Sequence, residues 1–320
     1  MAVYTEVSFE DLEGFLAAYD IGAPHVFKGI AEGVSNSNYY LQTDKSAFIL
    51  TLYEKRIESA DLPFFLGLME HLARGGQPCP TPVHAGNGAL TGTLNGRSAA
   101  ILTFLQGLSL KRPTAEHCAT AGRALAALHA AGASFAHRRD NTLGPSGWQK
   151  LAAQCEGHAD RMADGLKSLI ESELAALLGA WPSTLPKGII HADFFPDNVL
   201  FIDTQVSGII DFYFACYDSL AYDLAVTLNA WCFEADGAFN ITKGHALFAG
   251  YQSVRALGKD ERDALPILSR GAALRFLLTR LYDWVNRDAD ALVRPKDPRE
   301  FVHRLRFHRS VSGPAAYGLI

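Results

Sequence analysis

Cysteine is scarce in this chain of 320 residues, and what there is excludes two common architectures. The five cysteines (Cys79, Cys118, Cys155, Cys216, Cys232) are an odd number and lie far apart. None forms a C-x-x-C pair or stands at zinc-finger spacing, so neither a disulfide framework nor a zinc module is expected. Free thiols suit a reducing compartment, which points to the cytoplasm. No uncharged apolar stretch reaches the roughly 18–20 residues that a bilayer-spanning helix needs. The start, Met1 to Glu13, carries Glu6, Glu10, Asp11 and Glu13, where a secretory signal would need a basic start and an apolar centre. Excess positive charge is also lacking. Lys and Arg number 29 against 34 Asp and Glu, a net charge of −5, which gives no general attraction to a phosphate backbone and argues against nucleic acid as a partner. There is no G-x-x-x-x-G-K-[ST], no H-E-x-x-H, no repeat of fixed period and no low-complexity segment.

What is present is the composition of a folded protein, 48% hydrophobic and 20% charged. The length allows one large domain or two lobes, each with its own core. Ser8, three residues before Asp11, opens a helix pattern that runs to about Tyr19–Gly22. Strand patterns follow at His25–Ile30, Tyr39–Gln42 and Ala47–Tyr53, then a helix over Leu62–Ala73. Ala89–Leu94 and Ser98–Leu105 flank Asn95-Gly96, a hairpin turn signal. After Gln106-Gly107 the pattern turns helical: Thr114–Ala131, one long stretch over Trp148–Leu178, and from Leu220 to the end. Short strands at Gly188–Ile190, Val199–Ile202 and Ser207–Ile210 interrupt it. The expectation is an α+β protein of two lobes. Residues 1–105 form a small antiparallel β lobe with one helix, and residues 106–320 form a larger, mainly helical lobe.

The chemistry is concentrated between the short strands. His191, Asp193 and Asn198 lie in a loop between two apolar strands, and Asp211 follows the next strand, thirteen residues after Asn198. A strand-loop-strand-turn of this size can bring one carboxamide and two carboxylates together. Such oxygen ligands suit Mg²⁺ shared with substrate phosphates. The spacing H-x-D-x-x-x-x-N with a later D-F matches the phosphoryl-transfer template. In that template Asp193, beside His191, orients an acceptor hydroxyl and takes its proton, while Asn198 and Asp211 hold Mg²⁺. Upstream, Gly33, Val34, Ser35, Asn36, Ser37 and Asn38 form a small polar loop between two strands, a candidate cradle for phosphate.

Together these residues resemble the aminoglycoside phosphotransferase-like branch of the protein-kinase-like fold. The match includes Gly33–Asn38, Phe48–Tyr53, Gln77–Pro80, Gly122–His129, His191–Asp193, Ile210–Phe212 and Tyr222–Ala225. Within that branch, Phe48–Arg56, Arg139–Asn141, Ile209–Ala215, Asn229–Phe233 and Arg275–Trp284 look most like the homoserine kinases. The resemblance implies ATP-dependent phosphorylation of the side-chain hydroxyl of L-homoserine, a step towards threonine. ATP is then expected between the lobes, with Phe104–Gly107 as hinge and Phe104 against the adenine.

The pattern departs from the kinases in several places. Thr51 stands where the third strand usually carries Lys, and Glu70 is late for its Glu partner, with Lys55 or Arg56 as substitutes. Ala192 replaces the Arg that would receive an activation-loop phosphate. Tyr213 replaces the Gly of D-F-G, and the short run after Asp211 disfavours a peptide substrate. A zwitterionic acceptor needs an Arg or backbone donors for its carboxylate and a carboxylate or carbonyls for its amine. Arg139, Asn141, Arg275 and Arg280 are the candidates for the first and Asp218 for the second. Asp223 is expected to cap a helix and steady the catalytic loop, and His129 and Trp231 to be core residues. Two rivals remain: the same chemistry on another amino alcohol or an aminoglycoside, and a nucleotide-binding scaffold without turnover.

Overall fold

A computed structural model describes residues 5–30, 36–54, 57–287 and 295–319. The chain divides into two compact units. The first comprises residues up to Gln106 together with Gly208–Tyr213; the second holds Gly107–Ser207 and the chain from Phe214 on, apart from a few masked residues.

In the first unit, α1 (Phe9–Leu16) begins at Ser8, whose hydroxyl accepts the Asp11 N–H while the Asp11 carboxylate accepts that of Ser8. Ser8 is thus the N-cap that its place three residues before Asp11 led one to expect, and the cap is reciprocal. The strands β1 (Pro24–Gly29), β2 (Ser37–Thr43) and β3 (Ala47–Leu52) follow, then helix α2 (Leu62–Arg74) and the hairpin β4 (Gly92–Leu94) and β5 (Arg97–Thr103). They make one antiparallel sheet in the order β1-β2-β3-β5-β4. Alternation along β2 buries Ser37, Tyr39, Leu41 and Thr43. Tyr39 and Leu41 join Phe48, Leu50, Leu52 and Ile101 with Leu12 and Leu16 of α1 in one apolar core. Gly92 lets the Phe15 ring lie against the sheet, because a Cβ there would stand 2.7 Å from it.

The second unit begins with β6 (Leu108–Ser109) and α3 (Ala115–Gly132). The single helix expected over Trp148–Leu178 is instead three, α4 (Pro145–Gln154), α5 (Ala159–Met162) and α6 (Leu166–Ala180). Gly157 and Gly165 interrupt it with φ of +79° and +72°, a conformation that suits glycine and stops a helix. Then come β7 (Lys187–Ile190), β8 (Val199–Ile202), β9 (Gln205–Ile209) and β10 (Cys216–Ser219). β7 pairs antiparallel with β10, and β6 with β8, which neighbours β9. β6 and β10 are additions to the strands expected from the sequence. The final helical stretch is α7 (Leu220–Trp231), α8 (Ile241–Gln252), α9 (Lys259–Val285) and α10 (Arg299–Ser310). α3 and α8 touch at their backbones. A Cβ at Gly250 would stand 1.9 Å from the Ala119 carbonyl, and one at Gly122 2.2 Å from that of Leu247. All five cysteines are free and buried, and among the described residues no helix is long and apolar enough to cross a membrane.

Candidate active site

The turn between β7 and β8 follows from its sequence. Ile189 and Ile190 are buried, so the strand runs into the core, and Ala192 then reverses the chain at φ +61°. Phe194 and Phe195 are buried beyond it. Pro196 opens a single tight helical turn, Pro196–Asn198, that closes with Asn198 N donating to Phe195 O at 2.9 Å. The Asn198 side chain turns back on Asp193. Its Nδ2 donates to the Asp193 carbonyl at 2.9 Å and to Asp193 Oδ2 at 2.8 Å. Asp193 and Asn198 are therefore brought together, as their spacing implied.

Three side chains from the helices hold this turn. The Asp223 carboxylate accepts the N–H groups of His191 and Ala192, each at 2.8 Å. His129 Nε2 stands 3.0 Å from the same carboxylate, and its Nδ1 is 2.8 Å from the Tyr251 hydroxyl. Burial alone would raise the Asp223 pKa, but the bond to His129, the nearby imidazoles and the His191 backbone hold it below the usual value. Trp231 Nε1 donates to the Phe194 carbonyl at 2.7 Å. Arg275, only 2% exposed, donates to the Ala192 carbonyl and lies over the rings of Phe214 and Phe276. Asp223 thus steadies the loop, as expected, through the loop's backbone N–H groups, but it does not cap the helix Leu220–Trp231, whose N-cap is Ser219. His129 and Trp231 are core residues, but Trp231 also reaches this turn and His129 backs the carboxylate that holds it, roles that no local pattern in the sequence announced.

Asp193 is pushed above the ordinary carboxyl range, chiefly by burial. Arg275 and His191 pull it down, Asp197 pushes it up and Lys296 pulls it down. Lys296 itself pairs with Asp197 at 2.7 Å. The His191 ring packs edge-on against Phe194, and its Nδ1 accepts the Asp193 N–H at 3.3 Å.

Asp211 belongs to the first unit, exposed at the end of β9 with φ +63°. Tyr213 has its hydroxyl 3.1 Å from that of Tyr53 and its ring edge-on to Tyr53 and Phe65. Ile209 N donates to Pro78 O at 2.6 Å. In the polar loop, Gly33, Val34 and Ser35 lie outside the described residues, as do Lys55 and Arg56. Asn36 Oδ1 accepts the Glu54 N–H at 3.4 Å, Ser37 Oγ donates to Glu54 Oε1 at 2.8 Å, and Asn38 Oδ1 accepts the Thr51 hydroxyl at 2.8 Å. These bonds fasten the strands to one another, and those of Asn36 and Asn38 use the amide oxygens. Glu54 also accepts Arg97 Nε at 3.0 Å and the Thr5 hydroxyl at 2.7 Å. Glu70 is engaged with His84 Nε2 at 3.0 Å. Phe104 is 41% exposed, its ring edge-on to Tyr40.

Of the candidate acceptor residues, Arg139, Asn141 and Asp218 gather along β10. Asn141 Nδ2 donates to Asp218 Oδ2 at 2.8 Å, and Tyr217 N donates to Arg139 O at 2.7 Å. Arg280 stands apart, paired with Glu300 and bonded to the Asp297 carbonyl at 3.2 Å, the arrangement of a structural ion pair. Among the described residues no three His, Cys, Asp or Glu side chains gather to hold a metal on their own. Both of these bonds of the Asn198 side chain use Nδ2, and its Oδ1 is an oxygen of the hard kind that suits Mg²⁺.

Residues 26–257 match the family model of the phosphotransferase enzyme family. The chain is 59% identical over 319 residues to a homoserine kinase of Xanthobacter autotrophicus, covering 100% of this chain and 99% of that one. It is 57% identical to a homoserine kinase of Sinorhizobium fredii, covering 100% and 98%. Among solved structures it resembles an amicoumacin kinase in complex with AMP-PNP, Ca²⁺ and Ami, with a TM-score of 0.68 at 14% identity over 95% of this chain and 92% of that one. That likeness bears on the fold, which is the kinase-like α+β architecture expected from the sequence.

Proposed function

The chain belongs to the phosphotransferase enzyme family, and we propose that it transfers the γ-phosphoryl group of ATP to the side-chain hydroxyl of L-homoserine, giving O-phosphohomoserine and ADP. The full-length likeness to homoserine kinases supports the acceptor. The observation that carries the chemistry is the bond from Asn198 Nδ2 to Asp193 Oδ2, in a turn whose backbone Asp223 holds at two N–H groups.

Asp193 faces the acceptor hydroxyl and receives its proton as the new O–P bond forms and the bond from the γ-phosphorus to the ADP oxygen breaks. A carboxyl pushed up by burial is a better proton acceptor than an ordinary one. His191 supports it by accepting the Asp193 N–H. Asn198 Oδ1 and Asp211 would hold Mg²⁺, and the chemistry that ion supplies when bound is neutralisation of charge on the phosphate oxygens. Backbone N–H groups of Gly33–Asn38 would take phosphate oxygens, and Phe104 would lie against the adenine. Arg139 and Asn141 would take the acceptor carboxylate and Asp218 its amine. Most of the acceleration comes from positioning and charge compensation. Five buried free thiols support a reducing compartment, the cytoplasm.

The test is ADP release measured with homoserine, choline, hydroxylysine and kanamycin as acceptors. Saturation by homoserine alone, at low millimolar concentration or below, is the expected result. Equal or better turnover with another acceptor would move the assignment to that compound. Release with none of them would favour the non-catalytic scaffold.

A further inference from the structure

We propose that Arg275 is a positioning residue for phosphoryl transfer: from the middle of α9 its guanidinium holds the Ala192 carbonyl, and so holds the left-handed bend that aims the Asp193 carboxylate. The inference rests on the reading of Asp193 as the group that faces the acceptor hydroxyl.

Ala192 has φ +61°, a conformation that is unfavourable for a non-glycine residue and persists only where the surroundings impose it. The surroundings here divide the task. Asp223 fixes the two peptides leading into the bend, through the N–H groups of His191 and Ala192. Trp231 fixes the carbonyl of Phe194, beyond Asp193. The peptide that joins Ala192 to Asp193 lies between these anchors. Its N–H has a long bond of 3.3 Å to His191 Nδ1, and its carbonyl is the one Arg275 takes. Rotation of that peptide plane would swing the Asp193 side chain, so Arg275 restrains its direction from the Ala192 side, while Asn198 Nδ2 holds the Asp193 carbonyl and Oδ2 from the other.

The company Arg275 keeps differs from that of its neighbours on α9. Arg270 ends on Glu173 with two bonds of 3.0 Å, and Arg280 on Glu300. Arg275 makes no hydrogen bond to a carboxylate among the described residues, and its buried Nε has no partner there. It is stabilised instead by the faces of Phe214 and Phe276, 5.4 and 4.4 Å from the guanidinium carbon. A buried cation placed on a carbonyl rather than a carboxylate adds little to stability, and here it fixes a backbone orientation.

Steady-state kinetics of Arg275→Met, Arg275→Lys and the double variant Arg275→Met/Ala192→Gly test this. In Arg275→Met, kcat should fall roughly 10–100-fold, the cost of a misaimed group. KM for ATP and for homoserine should stay within about threefold. Arg275→Lys should recover part of kcat. So should Ala192→Gly in the Met background, since glycine adopts the bend without strain. A tenfold or larger rise in the homoserine KM with kcat retained would overturn the proposal, because Arg275 would then bind the acceptor. Wild-type kcat in Arg275→Met would overturn it too. If Arg275→Met does not fold by circular dichroism, the Lys variant decides: kcat lowered several-fold at unchanged KM supports the inference, and unchanged kcat refutes it. Asp193→Asn assayed alongside separates the two levels. Full turnover in that variant would sink the functional reading itself, whereas an inactive Asp193→Asn with a fully active Arg275→Met would sink only the positioning role.

Discussion

The turn His191–Phe194 and the strand pair β2–β3 both carry polar side chains in buried surroundings, and they are held in opposite ways. In the strand pair, polar groups satisfy one another locally. Thr51 bonds its directly opposite partner Asn38, and Ser37 bonds Glu54 just past the end of β3, all over an apolar layer shared with α1. In the turn, apart from Asn198 on Asp193, the partners are remote in sequence and charged or aromatic: Asp223, Trp231 and Arg275, with His129 and Tyr251 behind Asp223. A sheet needs no such help, because its ladder already pairs its backbone. A bend with a left-handed alanine has no ladder, so helix side chains must pair its N–H and C=O groups. The comparison predicts large functional effects at the turn and small, mainly structural ones at the strands.

The largest effect is expected at Asp193. Asp193→Asn should lower turnover by about 10²–10⁴-fold, the range for a positioned acid–base group. ATP affinity by calorimetry should be retained and the melting temperature little changed. A residual turnover near wild type would break the comparison at its strongest point. Asp223→Ala should act on both turnover and stability. It leaves two buried N–H groups and His129 without their acceptor, so a loss of about 3–5 kcal/mol by urea unfolding is expected. A variant as stable as wild type would mean that the turn does not depend on this carboxylate.

Buried charge in the second unit also sets a pH dependence. His308 is fully buried between Tyr317 and Asn229, and burial holds its pKa down to about 3, with Arg304 and Arg270 adding to the effect. The folded chain therefore keeps His308 neutral where the unfolded chain protonates it. Stability should be full above pH 6.5 and fall as the pH drops from there towards 3, by up to about 1.4 kcal/mol per unit. Melting curves from pH 7.5 to 4.5 should show this decline, and it should be shallower in His308→Gln. Equal slopes in the two proteins would remove His308 as the cause.

How much of this was legible in the sequence follows from the range of each interaction. The Asp193–Asn198 pairing spans five residues inside one loop, so spacing revealed it. Asp223 announced itself by standing at the head of an apolar helix, although its partners are backbone groups that no sequence pattern names. The role of Arg275 was not legible. Helical spacing shows that an arginine sits on an apolar helix, but not whether it ends on a carboxylate, as Arg280 does, or on a carbonyl 83 residues away. The break of Trp148–Leu178 into three helices was signalled by Gly157 and Gly165, yet the apolar period runs across both and outweighed them. β10 was missed because Cys216–Ser219 is four residues long and shows no alternation to recognise.

The smallest effect is expected at Thr51, where the comparison is sharpest because the family resemblance would place a catalytic lysine there. The Thr51 hydroxyl donates to Asn38 Oδ1 and lies beside the Tyr213 phenol, which is itself bonded to Tyr53. Thr51 thus serves the joint between β2 and β3, and the Glu that would have answered a lysine is occupied by His84. Thr51→Val keeps the shape and removes one hydrogen bond, so a loss of about 1 kcal/mol in unfolding free energy is expected, with kcat and KM for ATP within about twofold of wild type. A tenfold rise in the ATP KM would show that this position still addresses the nucleotide despite its lost charge. The contrast between a functional turn and a structural strand pair would then fail at the strand where the two were expected to differ most.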